Sequence, residues 1–277
     1  MTSVEVFSKE QVAAFYDNIS MIAALSGPNV HVGYWENDED SSPLGEATDR
    51  MTDLVIARLG VSPGDRVLDI GCGLGAPAIR LAKAMDVQVT AIATSPALIS
   101  EARRRAVEAG ADGQVVFELG DGEDLAYPSC HFDAVMAIES LVHMNDRPAA
   151  FRQIARVLKP GGHLVATDRV EIQAPTDAER AVVEAYRRMS FNAPFLRLNT
   201  YVTALLDAGL LPVEYRDITD RTLPHYRHMI TQLDQAQGID AHVRDQGKAM
   251  LTALFEAGLP TNMIITAKAT ASAAAHG

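Results

Sequence analysis

Cysteine, basic charge and long apolar runs are all scarce in this sequence of 277 residues. The two cysteines, Cys72 and Cys130, make neither a disulfide framework nor a zinc-binding pattern, which favours a reducing, cytoplasmic setting. No apolar run reaches the roughly 18 residues of a membrane-spanning helix, and no basic and apolar leader opens the chain. We therefore expect no membrane association.

The charge balance is acidic, with 36 Asp and Glu against 24 Lys and Arg and a formal net charge of −12. The largest basic cluster, Arg103 to Arg105, lies on a predicted helix and is expected to be a solvated helix face. This balance argues against nucleic acid as a partner and favours a small-molecule substrate. The 48% hydrophobic composition suffices for a full core. The oligomeric state stays open, a homo-oligomer included.

The most informative stretch of the chain runs from residue 66 to residue 77. The apolar residues 67–70, interrupted by one acid, predict a strand buried on both faces of a parallel sheet. Gly71, Gly73 and Gly75 follow, and their missing Cβ atoms let the backbone turn sharply and approach a bound molecule. Helical spacing resumes after the glycines, so the pattern of strand, glycine turn and helix predicts a nucleotide-type site.

The acid in this turn, Asp69, indicates which kind of ligand binds there. A carboxylate would repel a pyrophosphate, and the spacing departs from the dinucleotide fingerprint, whereas an acid suits the amino group of a sulfonium amino acid. The string Asp69-Ile-Gly71-Cys-Gly73-Leu-Gly75 resembles motif I of the class I S-adenosylmethionine-dependent methyltransferases. The resemblance implies that the cofactor is S-adenosyl-L-methionine.

Further strand and helix patterns predict an α/β fold with a doubly wound, mostly parallel, seven-stranded sheet of the Rossmann-like methyltransferase type. N-terminal helices precede this sheet and a helical cap is inserted late in the chain. We predict a lid segment over residues 1–60, with a helix at 9–25, and a cofactor-binding core over 61–171. The cap insertions occupy 172–261 and include the sixth strand at 211–218. The last strand and a disordered tail complete the chain at 262–277.

Several residues beyond the glycine turn are candidates for cofactor contacts. The second strand ends in Ala93-Thr94-Ser95 rather than in the acid that binds ribose in many nucleotide folds, which shifts that contact to Thr94 or Ser95. An acid at Glu139 is suited to charge stabilisation or to orienting the amino acid part. The resemblance further implies contacts from Asp121, Gly122, Ser140, Tyr16, Tyr34 and Trp35. An alternative for Tyr34 and Trp35 is an aromatic cluster that attaches the N-terminal segment to the core.

Methyl transfer to a hydroxyl needs a base, and His143 is the histidine expected at the carboxyl end of the fourth strand. Asp168 ends the neighbouring fifth strand, where a carboxylate would orient the imidazole. The alternative is that His143 caps its own helix and Asp168 holds a loop. This region also resembles the actinobacterial natural-product O-methyltransferases, in which the matching histidine and aspartate are the proposed base pair.

The sequence therefore favours a methyltransferase that acts on a hydroxyl of a bulky natural product, with His143 as general base. A C- or N-methyltransferase remains an alternative, as does a cyclase or binding protein that keeps the cofactor without transferring its methyl group. His225 and His228 are expected to be solvated or to line the cap, and no metal is expected because no third ligand is evident.

Overall fold

The computed structural model describes residues 6–17, 29–235 and 240–271. The strands are β1 Arg66–Ile70, β2 Gln88–Ala93, β3 Val115–Leu119, β4 Phe132–Ile138, β5 Leu158–Glu171, β6 Leu196–Arg197, β7 Leu210–Asp217 and β8 Thr261–Ala269. The helices are α1 Lys9–Tyr16, α2 Leu44–Ile56, α3 Ala76–Met85, α4 Pro96–Ala109, α5 Arg147–Val157, α6 Asp177–Met189, α7 Leu198–Asp207, α8 Thr219–Thr222, α9 Pro224–Gln235 and α10 Ala241–Ala257.

One mixed sheet organises the molecule, in the order β3-β2-β1-β4-β5-β8-β7, with the short β6 paired to β5. The pairs from β3 to β5 are parallel, whereas β8 runs antiparallel to both β5 and β7. The predicted doubly wound, mostly parallel sheet is confirmed. The strand order reverses between β1 and β4, so the crevice at their carboxyl ends is the place where such sheets bind ligands.

Both faces of the sheet are covered by helices. In β1, Val67 packs into a cluster with α2, α3 and α4, while Leu68 and Ile70 pack into a second cluster with α5 and α7. A third apolar cluster joins α6, α9 and α10 and includes Val142, which lies just after β4. The cap is therefore packed directly against the segment that carries His143.

The chain ends differ in part from prediction. Helix α1 begins with a capping box between Ser8 and Gln11, and the predicted continuation over residues 18–25 lies outside the described residues. The last strand reaches Ala269, which is in β8 and pairs with Leu210. Residues 272–277, within the predicted disordered tail, lie outside the described residues.

Two further features concern β5 and its neighbours. The stretch 159–162, despite its Pro-Gly-Gly sequence, lies within the bounds of β5, because Leu158 already pairs with Phe132 and regular pairing resumes at His163 with Ala134. The two-residue β6 was not predicted, since so short a strand has no periodicity of its own. Within the described part of the chain, no helix is long and apolar enough to cross a bilayer.

Candidate active site

A cavity of about 860 Å³, including the part open to solvent, lies between α1 and the carboxyl edge of the sheet. Ten of the residues predicted for the site line it: Tyr16, Gly71, Gly73, Thr94, Ser95, Asp121, Gly122, Glu139, Ser140 and His143. Five others do not belong to its lining: Tyr34, Trp35, Asp69, Gly75 and Asp168. The structure therefore brings most of the predicted site together, and each exception has a physical reason.

The glycine turn leaves no room for side chains on its inner surface. Gly71 has φ +79°, and a Cβ atom there would lie 2.2 Å from the Cβ of Ser140. The backbone N–H of Gly71 donates to the carbonyl of Ile92 on β2, at 2.8 Å, which fixes the turn against the next strand. Gly75, predicted as a cofactor contact, is instead the residue that begins α3, and a Cβ atom there would meet the ring of Phe117. Its role is to let the helix pack closely on the sheet.

Asp69 lies beneath the turn rather than on its surface, with only 2% of its area exposed. Burial raises the pKa of its carboxyl group from an ordinary value of 3.8 to about 7. Its Oδ2 atom, like the Oγ of Ser140 in the cavity wall, is buried without a hydrogen-bond partner among the described residues. Two unpaired polar atoms beside a cradle free of side chains fit a ligand with a polar amino acid head.

Tyr34 and Trp35 do not close over the cavity, which corrects their prediction. The backbone N–H of Tyr34 donates to the carbonyl of Ala47 at 2.8 Å, and the indole of Trp35 donates to the carbonyl of Ser42 at 3.1 Å. Both rings are buried. The alternative interpretation holds, because this aromatic pair attaches residues 29–35 to α2.

Helix α1 forms the roof of the cavity and contributes charged contacts that the sequence did not indicate. Lys9 forms ion pairs with Asp121 and, at 2.9 Å, with Glu123. Asp17, just after α1, accepts a hydrogen bond of 2.5 Å from the hydroxyl of Ser95. Asp17 thus supplies a carboxylate at the end of β2, where the strand itself carries no acid.

His143 is held from two sides. Its Nδ1 lies 3.1 Å from the carbonyl oxygen of Phe191, which accepts only, so Nδ1 carries the proton. Its Nε2 lies 2.8 Å from the hydroxyl of Tyr16 and accepts a hydrogen bond from it. Burial lowers the pKa of His143 to about 4 and raises the pKa of the Tyr16 hydroxyl. The imidazole is therefore neutral at physiological pH, and its lone pair faces the cavity.

Asp168 is not the hydrogen-bond partner of His143, contrary to the predicted pair. Its Oδ2 lies 3.7 Å from Nε of Arg147, and its Oδ1 accepts from the backbone N–H of Arg169 at 2.8 Å. Arg147 in turn donates to the carbonyls of Leu141 and Val142, at 3.0 and 3.2 Å. These contacts link Asp168, through Arg147, to the short 3-10 helix Leu141–His143. Sequence reasoning missed Arg147, because an arginine at the first position of a helix, here α5, is ordinarily exposed and nothing in the local pattern marks this one as buried.

Glu139 forms the opposite rim, and its backbone is in the left-handed region with φ +49°. Its carboxylate accepts from Nη2 of Arg169 at 2.6 Å and from the backbone N–H of Val32 at 2.9 Å. Burial is the largest influence and disfavours the charged form, but the Arg169 guanidinium, nearby histidines and the Val32 N–H together outweigh it and keep the pKa of Glu139 below its ordinary value. A fixed negative charge therefore borders the cavity.

The cap histidines lie apart from the cavity lining. His225 is buried, and burial lowers its pKa to about 4, while His228 is half-buried. Among the residues that the structure describes, no group of three or more His, Cys, Asp or Glu side chains is arranged to hold a metal ion.

The fold, the glycine cradle and the switch-point cavity are those of the class I S-adenosylmethionine-dependent methyltransferases, and this chain belongs to that family. Residues 67–162 match the family model described as "Methyltransferase domain". The chain is 42% identical over 218 residues to 27-O-demethylrifamycin SV methyltransferase of Amycolatopsis mediterranei, covering 78% of this chain and 79% of that protein.

Two other similar proteins extend the comparison. Methyltransferase GfsG of Streptomyces halstedii is 38% identical over 224 residues, 80% of each chain. The crystal structure of the [4+2]-cyclase SpnF superposes with a TM-score of 0.82 at 30% identity, over 97% of this chain and 99% of that one. The chain therefore resembles natural-product methyltransferases, and its cofactor is S-adenosyl-L-methionine.

Proposed function

We propose that this protein transfers a methyl group from S-adenosylmethionine to a hydroxyl of a bulky natural product, with His143 as general base. The observation that carries the proposal is the pair of hydrogen bonds at the imidazole. Phe191 fixes the proton on Nδ1, and Nε2 already accepts a hydrogen bond from a hydroxyl group, that of Tyr16. An acceptor hydroxyl that replaces Tyr16 would meet the same lone pair.

The residues of the cavity divide the remaining tasks. When bound, S-adenosylmethionine supplies an electrophilic methyl group on a sulfonium centre. Gly71, Gly73 and Ser140 would hold its amino acid part, and Asp121 with Gly122 its adenine, as the family resemblance implies. Helix α1 lies over part of the cavity, the rest of which is open to solvent. His143 takes the proton from the acceptor hydroxyl as the new C–O bond forms.

Asp168 supports the base at one remove in this proposal. Its charge holds Arg147, which binds the backbone of the short helix that ends at His143. Replacing Asp168 by Asn would weaken the hold on a buried arginine, so we expect kcat to fall while the affinity for S-adenosylhomocysteine stays within about 2-fold. Equal losses in both quantities would show a general defect of the fold instead.

The first experiment offers 27-O-demethylrifamycin SV, the acceptor in the name of a relative, together with S-adenosylmethionine carrying a trideuterated methyl group. Mass spectrometry should show one labelled methyl group on an oxygen of the product. His143→Ala should lower kcat by at least about 100-fold, because general base catalysis typically contributes between about 100-fold and 10,000-fold. His242→Ala, an exposed histidine of α10, is the matched control.

The pH dependence of kcat/KM gives a second readout. Because burial lowers the pKa of His143 to about 4, the base stays neutral below the ordinary histidine value of 6.5. The acid limb of the profile should therefore lie well below pH 6.5, and His143→Ala should abolish it. Near-normal turnover in His143→Ala would exclude the proposed base and favour an acceptor that is already nucleophilic, as in C- or N-methylation.

A cyclase that keeps the cofactor without consuming it is the second candidate function. The likeness to the [4+2]-cyclase SpnF, at 30% identity over nearly the whole chain, favours it specifically. The two functions differ in mass balance, because a cyclisation leaves the mass of the substrate unchanged and releases no S-adenosylhomocysteine. Release of S-adenosylhomocysteine in step with product would exclude the cyclase.

A further inference from the structure

The residue that holds Nδ1 of His143 has an unusual backbone for its type. Phe191 follows the end of α6 and has φ +53°. The N–H groups of Phe191 and Asn192 donate to the carbonyls of Arg188 and Arg187, which is the hydrogen-bond pattern of a Schellman motif. Glycine is usual at this left-handed position, and a bulky aromatic residue there is strained. Such a residue persists where the surroundings hold it, which directs attention to what its ring and carbonyl contact.

The ring of Phe191 lies against the roof of the cavity. Its centroid is 4.9 Å from that of Phe7, which precedes α1, and 5.0 Å from that of Phe15, in the last turn of α1. The guanidinium of Arg187 lies 5.4 Å from the ring centroid of Phe7 and extends this contact. A glycine at position 191 would suit the backbone better but would leave these aromatic side chains without their partner.

The carbonyl of Phe191 serves the base, while α1 reaches the base from the other side. Nδ1 of His143 donates to this carbonyl at 3.1 Å, and the hydroxyl of Tyr16 in α1 donates to Nε2 at 2.8 Å. The edge of the imidazole also packs against the Tyr16 ring, with centroids 5.3 Å apart. One residue therefore touches both the roof helix and the base, and the roof touches the base as well.

We propose that Phe191 is a positioning residue that couples docking of α1 over the cavity to the tautomer and orientation of the His143 imidazole. The ring anchors the helix, and the carbonyl holds the proton on Nδ1 so that Nε2 stays available to the acceptor. This inference rests on the proposed role of His143 as base. It explains why an aromatic residue stands where the backbone favours glycine.

Undocking of α1 would change the surroundings of the imidazole. Four ionisable groups face His143: those of Arg169 in β5, Arg147 in α5, Glu139 after β4 and Tyr16 in α1. Burial is the largest influence on the pKa of His143. Water admitted by undocking would relieve that burial, and the pKa would rise toward the ordinary value of 6.5. Loss of the anchor should therefore appear both in the helix and in the titration of the base.

The test uses Phe191→Gly, which keeps the carbonyl, suits the backbone and removes the ring. With S-adenosylhomocysteine bound, we expect amide hydrogen exchange of residues 9–16 to accelerate at least about 10-fold, and the acid limb of kcat/KM to move up by about one pH unit. Phe15→Ala removes the same contact from the side of α1 and should act in the same direction. Phe191→Tyr keeps the ring and should restore both quantities.

Cys130→Gly is the matched control, because Cys130 has φ +54° and lies in a turn before β4, away from the cavity lining. It relieves similar backbone strain and should leave exchange of α1 and the pH profile unchanged. If Phe191→Gly shows the same amide exchange of α1 and the same pH profile as the unaltered protein, the proposal is overturned. Faster exchange with an unchanged profile would also overturn it, since the ring would then anchor α1 without affecting the base.

The nitrogen NMR signals of His143 separate failure of this inference from failure of the proposed function. Phe191 should set the proton on Nδ1 whether or not His143 is the catalytic base. If His143→Ala retains turnover, the proposed function fails, yet the NMR signals and the exchange of α1 still report the coupling. Both variants keep the Phe191 carbonyl, so the informative signal is that of Nε2, which should lose its hydrogen bond from Tyr16 when α1 undocks. An Nε2 signal unchanged in Phe191→Gly and Phe15→Ala would overturn the coupling by itself.

Discussion

The two sides of the cavity are built in different ways. On the cofactor side, the glycine turn is backbone from one contiguous stretch, in which Gly71 and Gly73 turn above the buried Asp69, and residues that follow β2 and β3 extend it. On the base side, His143 is held by Tyr16 and Phe191, which come from distant parts of the chain. The first wall is a local motif on the sheet, whereas the second exists only when α1 and the end of α6 are both packed in place.

The difference extends to electrostatics. A buried titratable group lies beneath the cofactor wall and another lies in the base wall, and burial shifts their pKa values in opposite directions: the pKa of Asp69 is raised to about 7, and that of His143 is lowered to about 4. Each wall therefore loses stability when pH forces its buried group to ionise. The cofactor wall is the more sensitive to alkali and the base wall to acid.

The largest expected effect tests this opposition directly. For Asp69, rising pH from an ordinary pKa of 3.8 to the folded value of about 7 removes stability, by up to about 4 kcal/mol at 1.36 kcal/mol for each pKa unit. For His143, falling pH from 6.5 to about 4 removes stability, by up to about 3 kcal/mol. Urea unfolding without cofactor, between pH 4 and pH 8, measures both.

Asp69→Asn and His143→Gln are the variants that assign these slopes, because each replaces the titrating group by a neutral one of similar size. The free energy of unfolding of the unaltered protein minus that of Asp69→Asn should fall as the pH rises. The same difference taken with His143→Gln should fall as the pH declines. Parallel curves for either variant would show that its group does not titrate between the folded and unfolded values given above.

A smaller effect on the cofactor wall alone comes from adding one methyl group. In Gly71→Ala the new Cβ would lie 2.2 Å from that of Ser140, whereas in Gly73→Ala it would lie 3.4 Å from that of Val30, an ordinary contact. Both glycines have positive φ, so both substitutions carry a backbone cost of roughly 1–2 kcal/mol. We expect calorimetry to show affinity for S-adenosylhomocysteine reduced about 100-fold by the first and about 10-fold by the second. Equal losses of affinity in the two variants would mean that backbone strain, and not contact with Ser140, causes the loss.

The contrast between the walls also explains how much the sequence could reveal. Residues 69–75 carry their chemistry in their own spacing, so the sheet, the turn and the cofactor followed from them. His143 was singled out as the candidate base because it lies shortly after β4, at the edge of the sheet where the cofactor is expected. The contacts around it did not follow from the sequence, because the Phe191 carbonyl reaches His143, and Arg147 reaches the backbone of the preceding residues, through packing between separate elements that no local periodicity records. Asp168 was expected beside His143 because the two residues were placed at the ends of neighbouring strands. Its carboxylate lies beside the buried guanidinium of Arg147 instead.

The smallest expected effect on binding concerns Trp35, which the sequence placed at the cavity and the structure places against α2. Its ring is 5% exposed and its indole N–H donates to the Ser42 carbonyl, while Glu36 onward is an acidic surface loop. Trp35→Phe should therefore cost about 1–3 kcal/mol of unfolding free energy through lost packing and the lost hydrogen bond. Affinity for S-adenosylhomocysteine should stay within about 2-fold, because no cavity contact is removed. If the loss of binding free energy exceeds the loss of unfolding free energy, Trp35 contributes to the cavity wall. That result would weaken the distinction between a locally encoded cofactor side and an assembled base side.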